Sequence, residues 1–197
     1  MTGEFISSAP TSKAVRIAET LKGALTFKDF LDEAQMAQIE EVLAQCAKEA
    51  DFQVNTREYP KEGYPSDKEC NRLVGTDSQG NPIKRAMELG KMKHDAAFAC
   101  VERRMGREFS SHVTREPRYS ESSYTLTQDG PGTLVPDVVI HWLGNANKVH
   151  RLDDFFFPCT ARGKSDPLAS QGKLDKYKPL VGDGRRALVT PQLGISR

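Results

Sequence analysis

Residues 132–159, GTLVPDVVIHWLGNANKVHRLDDFFFPC, constrain the fold more than any other part of the chain. Residues 138–142 and 149–157 are rich in β-branched and aromatic side chains, and the Gly144-Asn-Ala-Asn147 cluster between them has the composition of a hairpin loop. With Asn145 and Ala146 as a two-residue loop, Leu143 pairs with Lys148, His141 with His150 and Asp137 with Asp154. Two carboxylates then face each other on one side of a sheet.

Directly opposed like charges on paired strands repel, so this arrangement does not serve stability by itself. A cation between the two groups makes it favourable. Hard divalent ions such as Mg²⁺ or Mn²⁺ prefer oxygen ligands and are held by one or two carboxylates, with other positions left to water and substrate phosphate. The alternative is that Asp137 closes a Val-Pro-Asp turn and that Asp153 and Asp154 are solvated.

A chain of 197 residues is long enough for one domain with a substantial core. No apolar run approaches the roughly 20 residues of a membrane span, so no membrane partner is expected. The first ten residues lack the basic and apolar regions of a secretory signal peptide, and a cytoplasmic protein is the expectation. The four cysteines, Cys46, Cys70, Cys100 and Cys159, contain no C-x-x-C pair and are expected as reduced thiols. A zinc site from Cys159 with His150 is the alternative.

Net charge is +1, but it is unevenly spread. Residues 1–53 hold nine acidic side chains against five basic ones, whereas residues 158–197 hold eight basic against three acidic. The basic excess therefore follows the carboxylate hairpin, as a surface for a phosphate backbone would require. Lys164, Lys173, Lys176, Lys178, Arg185 and Arg186 build it. The other reading of the same charges is a solvated tail.

Apolar spacing predicts helices over residues 12–21 and 26–50, with Thr26 and Asp29 as a capping box, and this acidic pair reads as an N-terminal helical lobe over residues 1–53. Residues 54–82 are punctuated by Pro and Gly and read as a connecting loop. A strong amphipathic helix is predicted over residues 83–105, with Glu88, Lys91 and Asp95 on one face, where a surface salt-bridge stripe is the plain alternative. Strand segments are predicted over residues 109–119 and 123–127. After the hairpin come a helix over residues 166–180, opened by Asp166 and Pro167, and a strand over residues 186–190.

This order, helix, three strands, helix, strand, carries a Glu in its first helix, a Pro-Asp at its second strand and an acidic residue on its third. It resembles the mixed α/β core of the PD-(D/E)XK, or restriction-endonuclease-like, nuclease superfamily. Local stretches, Cys70-Asn-Arg, Arg85-Ala-Met-Glu-Leu-Gly, Lys93-His94, Pro117-Arg-Tyr, Asp154-Phe-Phe-Phe-Pro-Cys and Val189-Thr-Pro-Gln-Leu-Gly-Ile, look like nuclease toxin domains of bacterial polymorphic and type VI-secreted effectors. The resemblance covers about residues 70–195 and implies a nuclease domain over residues 83–197.

It further implies a Mg²⁺- or Mn²⁺-dependent DNase, delivered from the producer by a dedicated system, acting in the target-cell cytoplasm and restrained by a cognate immunity protein. Asp137 would be the main metal ligand, with Asp154, the Phe155 carbonyl and Glu88 completing the set. Lys164, Lys173, Arg185 and Arg186 would contact substrate. The chain departs from the family at Phe156, which stands where the motif carries its lysine. Lys91 and Lys93, within two turns of Glu88, and Lys173 are the candidates to replace it. The alternative function is a nuclease-fold protein without catalysis that binds nucleic acid or a protein partner.

Overall fold

The computed structural model describes residues 31–128, 130, 132–181 and 185–197. Helix α1 (Glu33–Glu58) and the short α2 (Asp67–Asn71) precede a small hairpin of β1 (Leu73–Thr76) and β2 (Pro82–Lys84). Helix α3 (Arg85–Arg104), a 3-10 turn (Arg107–Phe109), β3 (Val113–Arg115), β4 (Tyr119–Ser120) and β5 (Thr133–Leu134) follow. The chain then forms β6 (Val138–Trp142), β7 (Asn145–Phe155), α4 (Ala161–Ser165), a 3-10 helix (Pro167–Tyr177), α5 (Lys178–Val181), β8 (Arg186–Thr190) and β9 (Gly194–Ser196). The fold is mixed α+β.

The main sheet has the order β3-β6-β7-β8-β9, with β7 and β8 parallel and every other neighbour antiparallel. Side chains alternate between its faces. Val138, Ile140, Phe155 and Val189 meet Ile39, Leu43, Ala47 and Ala50 of α1 and Ala97, Phe98 and Val101 of α3 in one buried cluster. On the opposite face Val139, Leu152 and Leu188 pack with Tyr119 and Leu134 of the β4–β5 pair and with Leu174 and Tyr177 of the long 3-10 helix. The sheet is thus covered on both sides. Among the described residues no helix is long and apolar enough to cross a membrane.

The hairpin pairs Val138 with Asp153, Val139 with Leu152 and Ile140 with Arg151, the register that sets Asp137 opposite Asp154. Toward the turn it slips, and His141 faces Val149 while Trp142 faces Asn145. The loop is therefore Leu143-Gly144 rather than Asn145-Ala146, because Gly144 supplies the positive φ of 63° that a two-residue turn needs. The pairs His141 with His150 and Leu143 with Lys148 do not form.

The expected division at residue 53 falls inside α1, which runs to Glu58. Neither Gly nor Pro interrupts the helix before Pro60, and Tyr59, the residue before that proline, leaves helical backbone. The N-terminus of α1 is capped by Asp32 and Gln35, whose side chains and backbone amides bond reciprocally. The Thr26 box and the helix expected over residues 12–21 lie outside the described residues. Residues 54–82 hold the end of α1, α2 and the β1–β2 hairpin rather than a plain loop. Residues 123–127 contribute only a single bridge, Tyr119 to Leu126, and the helix expected over residues 166–180 is mostly 3-10.

The cysteines correct a sequence expectation. All four are paired, Cys46 with Cys100 and Cys70 with Cys159, at Cα separations of 5.4 and 5.9 Å. Their partners are 54 and 89 residues apart, so no local spacing announces them, and the zinc alternative with His150 is removed because Cys159 is bridged. The first bridge ties α1 to α3. The second ties α2 to the segment just after β7 and is packed by Val54 and Leu89. A native disulfide closing a loop of this length contributes about 2–5 kcal/mol. Cys46→Ala and Cys70→Ala should each lower the thermal midpoint clearly, and dithiothreitol should lower that of the parent protein. Mass spectrometry after alkylation without reductant should find no labelled cysteine.

Candidate functional site

Asp137 immediately precedes β6, and Asp154 lies near the end of β7, so pairing brings both to the end of the sheet where the parallel strands β7 and β8 finish. The two carboxylates exchange backbone hydrogen bonds. The Asp137 N–H donates to Asp154 Oδ1 at 2.9 Å, and the Phe155 N–H donates to Asp137 Oδ2 at 2.7 Å. Each side chain thereby continues the β6–β7 ladder beyond its last backbone pair, which is how two like charges are accommodated at opposed positions. One oxygen of each carboxylate, Asp137 Oδ1 and Asp154 Oδ2, stays outside the exchange.

Burial, and after it the charge of Asp137, push the Asp154 carboxyl up to about 6, while the Asp137 N–H, the Lys176 ammonium and the Tyr177 hydroxyl act the other way. His94, on the inner side of α3, places Nδ1 3.4 Å from Asp137 Oδ2. Burial disfavours its protonation, but the hydrogen bond and charge of Asp137, with Asp154 and Glu116 adding to it, outweigh burial and raise its pKa. Phe98, Phe155 and Phe157 surround the imidazole, the nearest ring centroid being that of Phe157 at 5.3 Å. Glu116 donates its N–H to the Asp137 carbonyl at 2.9 Å from a left-handed backbone with φ 46°. A non-glycine residue held there costs of order 1 kcal/mol or more and is a feature of constrained sites.

The 3-10 helix before α5 supplies cations to the other side of the pair. Lys176 is near enough to act on Asp154, and Lys173 Nζ lies 5.0 Å from the centroid of the Phe156 ring. Tyr177 from the same segment is buried, donates to the Val135 carbonyl at 2.9 Å and stands at the Asp154 carboxyl, whose negative charge, after burial, raises the phenol pKa. Arg186 holds the segment by donating to the Leu174 carbonyl and to Asp175.

Several expected site residues lie elsewhere. Glu88 is exposed and bonded to Arg85 at 2.5 Å. It precedes His94 by six residues, about 9 Å along the helix axis, so His94 is the α3 side chain that reaches Asp137. Lys93 is buried and donates to Asp51 of α1 at 2.7 Å, joining the two helices. Its burial lowers its pKa, with Asp51 opposing. Lys91 is exposed one turn from His94. Lys164 lies over the Tyr64 ring, Lys178 bonds to Asp175, and Arg185 lines a different cleft with His150, Arg151 and Arg197. These basic side chains thus have different local partners.

His94 enters the resemblance only beside Lys93 and carries no site role there, and Tyr177 is not part of it. A histidine in an amphipathic helix and a tyrosine in a charged segment carry no spacing signal. Only the Asp137–Asp154 register, once fixed, calls for side chains from neighbouring elements. Among the described residues no three His, Cys, Asp or Glu side chains stand together as a ready-made metal cluster. Comparison with known proteins finds no matching family model, no matching curated protein and no matching solved structure.

The Asp154 carboxyl has a folded-state pKa of about 6, above its ordinary value of 3.8. The folded protein binds more protons than the unfolded chain between these values, so stability from this group falls as pH rises through that window. Asp154→Asn should leave the thermal midpoint close to the parent's at about pH 4 and raise it at about pH 7, in EDTA. A difference between the two proteins that does not change with pH would contradict this account.

Proposed function

We propose that this protein is a metal-dependent phosphodiester hydrolase acting on DNA, with a restriction-endonuclease-like core. The observation that carries the reading is the pair Asp137 and Asp154, opposed across the antiparallel β6–β7 hairpin at the end of the sheet, with a lysine-bearing segment beside it. In the main sheet and its flanking elements the order is α1, α3, β3, β6, β7, the helical stretch of residues 161–181, β8 and β9, and the stretch from α3 to β8 supports the reading. Taken without α1 and β9, that stretch runs helix, three strands, helical stretch, strand, the order on which the nuclease resemblance rests.

The donor set fits a hard divalent cation. Two carboxylate oxygens remain outside the ladder, and burial of a second negative charge beside the first is a cost that a cation relieves. Asp137 and Asp154, with the Phe155 carbonyl, would hold Mg²⁺ or Mn²⁺. Glu88 is not part of the set. The ion, when bound, supplies a water of lowered pKa and positive charge at the scissile phosphate. His94, its Nδ1 turned to Asp137, keeps Nε2 for proton exchange at the sheet end. Lys176 and Lys173 bring ammonium groups to the face where the motif lysine is replaced by Phe156, and they attract and neutralise phosphate.

The residue matches quoted above extend the proposal to a toxin of interbacterial antagonism, delivered by a dedicated secretion system. An immunity protein would then present acidic side chains to Lys164, Lys173 and Lys176, since charge complementarity speeds encounter and blocks phosphate entry. A second reading is favoured by the same hydrogen bonds: the carboxylate pair is completed by backbone N–H groups without an ion, as a non-catalytic nucleic-acid-binding relative would need.

A plasmid nicking assay with Mg²⁺ or Mn²⁺ against EDTA decides between them. The parent protein should nick only with the metal, Asp137→Ala should abolish the activity, and Lys176→Ala should lower it by about 10²-fold, the contribution typical of a positioned electrostatic group. Expression in the cytoplasm of a test bacterium should arrest growth in the parent but not in Asp137→Ala. No cleavage with either metal, together with retained DNA binding, would select the second reading.

A further inference from the structure

Two cavities of about 300 and 480 Å³ flank a single side-chain pair, Tyr64 with Lys164, whose ammonium lies 4.6 Å from the ring centroid. The smaller cavity lies between the C-terminal half of α1, the loop after it, and the turn that follows β8 at Gln192. The end of β8 adjoins the end of β7 that carries Asp154, since Leu188 pairs with Asp154 and Val189 with Phe155. The cavity and the carboxylate pair therefore lie at the same end of the sheet. Lys93, whose bond to Asp51 braces the cavity wall, is the neighbour of His94 in α3.

The lining is unusual for a plain surface. Phe52 is 70% exposed and Tyr64 61% exposed, so two aromatic faces stand in water beside one cavity. Gly63, with φ 75°, turns the chain after α1 and delivers Tyr64 to this place, and its N–H is bonded to the Tyr59 carbonyl at 2.7 Å. Lys48 and Lys164 bring positive charge to the same walls. Asn55 is also part of the lining, and its buried Oδ1 has no hydrogen-bond partner among the described residues. Aromatic faces alternating with lysines are what a flat heterocycle attached to a phosphate recognises, because the ring stacks while the ammonium groups meet the anion. Duplex DNA keeps its bases stacked on one another and cannot offer a face.

We propose that this cleft binds an unpaired nucleobase with its phosphate, stacked on Phe52 and Tyr64 and held by Lys48 and Lys164, so that single-stranded nucleic acid is led toward the Asp137–Asp154 end of the sheet. The inference deepens the nuclease reading and rests on it for the direction of the strand. The chemistry itself could equally be met by a free nucleotide.

The test is fluorescence anisotropy in EDTA with a short fluorescein-labelled DNA oligonucleotide, single-stranded or annealed, and with AMP as competitor. The parent protein should bind the single strand more tightly than the duplex. Phe52→Ala and Tyr64→Ala, both at exposed positions, should each weaken single-strand binding by roughly 5- to 100-fold and leave duplex binding unchanged. Circular dichroism checks that they fold. Weak competition by AMP assigns the site to a strand, and competition as strong as that of unlabelled oligonucleotide assigns it to a free nucleotide. Single-strand binding within about twofold of the parent in both variants overturns the proposal, as does the absence of any binding. Plasmid cleavage measured separately keeps the two readings distinct: cleavage that persists with no effect of Phe52 or Tyr64 on binding overturns only the cleft, and stacking-dependent binding without cleavage overturns only the hydrolase.

Discussion

Two carboxylates stand opposite each other at the end of a strand pair because each accepts a backbone N–H from the other's strand. The exchange between Asp137 and Asp154 lengthens the β6–β7 ladder past its last backbone pair and determines where the sheet end lies. Everything around it is positioned by that register. His94 meets Asp137 from α3, Tyr177 and Lys176 meet Asp154 from the 3-10 helix, and Glu116 takes a left-handed conformation to reach the Asp137 carbonyl. A one-residue slip of β7 against β6 would move Asp154 to the face opposite Asp137 and dissolve the site.

The register is secured by groups that are themselves buried and charged. Arg151 and Asp153, on the face of β7 turned to α1, bond to each other at 2.7 and 2.9 Å, and Arg151 reaches Glu40, which also accepts from Arg197 at the chain's last residue. Asp153 is fully buried, and burial pushes its carboxyl up to about 6 despite the neighbouring guanidinium. Such a network is a poor source of net stability, but it penalises any pairing that separates its members. The Lys93–Asp51 bond and the Cys46–Cys100 bridge do the same for α1 against α3.

The two halves of the sheet end differ in chemistry. At Asp137 and Asp154 the groups are acidic, half-buried and mutually bonded, the arrangement on which the proposed cation site rests. Toward the turn after β8 they are aromatic, basic and exposed, which suits a ring and an anion. The Cys70–Cys159 bridge, with the bond from the Ala161 N–H to Asp67 at 2.7 Å, fastens the segment leaving β7 to α2 between these regions. The proposed hydrolase and its proposed strand cleft thus share one covalently braced surface.

The hairpin, its two opposed aspartates, the α3 helix and the strand of residues 186–190 were legible in the sequence, because β-branched runs, a Gly-containing turn and a helical apolar stripe are local patterns that local sterics enforce. The loop position was misread because Asn145 and Ala146 are plausible turn residues, yet only Gly144 takes positive φ without cost. Disulfide pairing, the commitment of Lys93 to Asp51, the replacement of Glu88 by His94 at Asp137 and the approach of Lys176 were decided only in three dimensions. Each depends on which helix face meets which sheet end, and that is settled by burial of the whole core rather than by the order of residues within any one element.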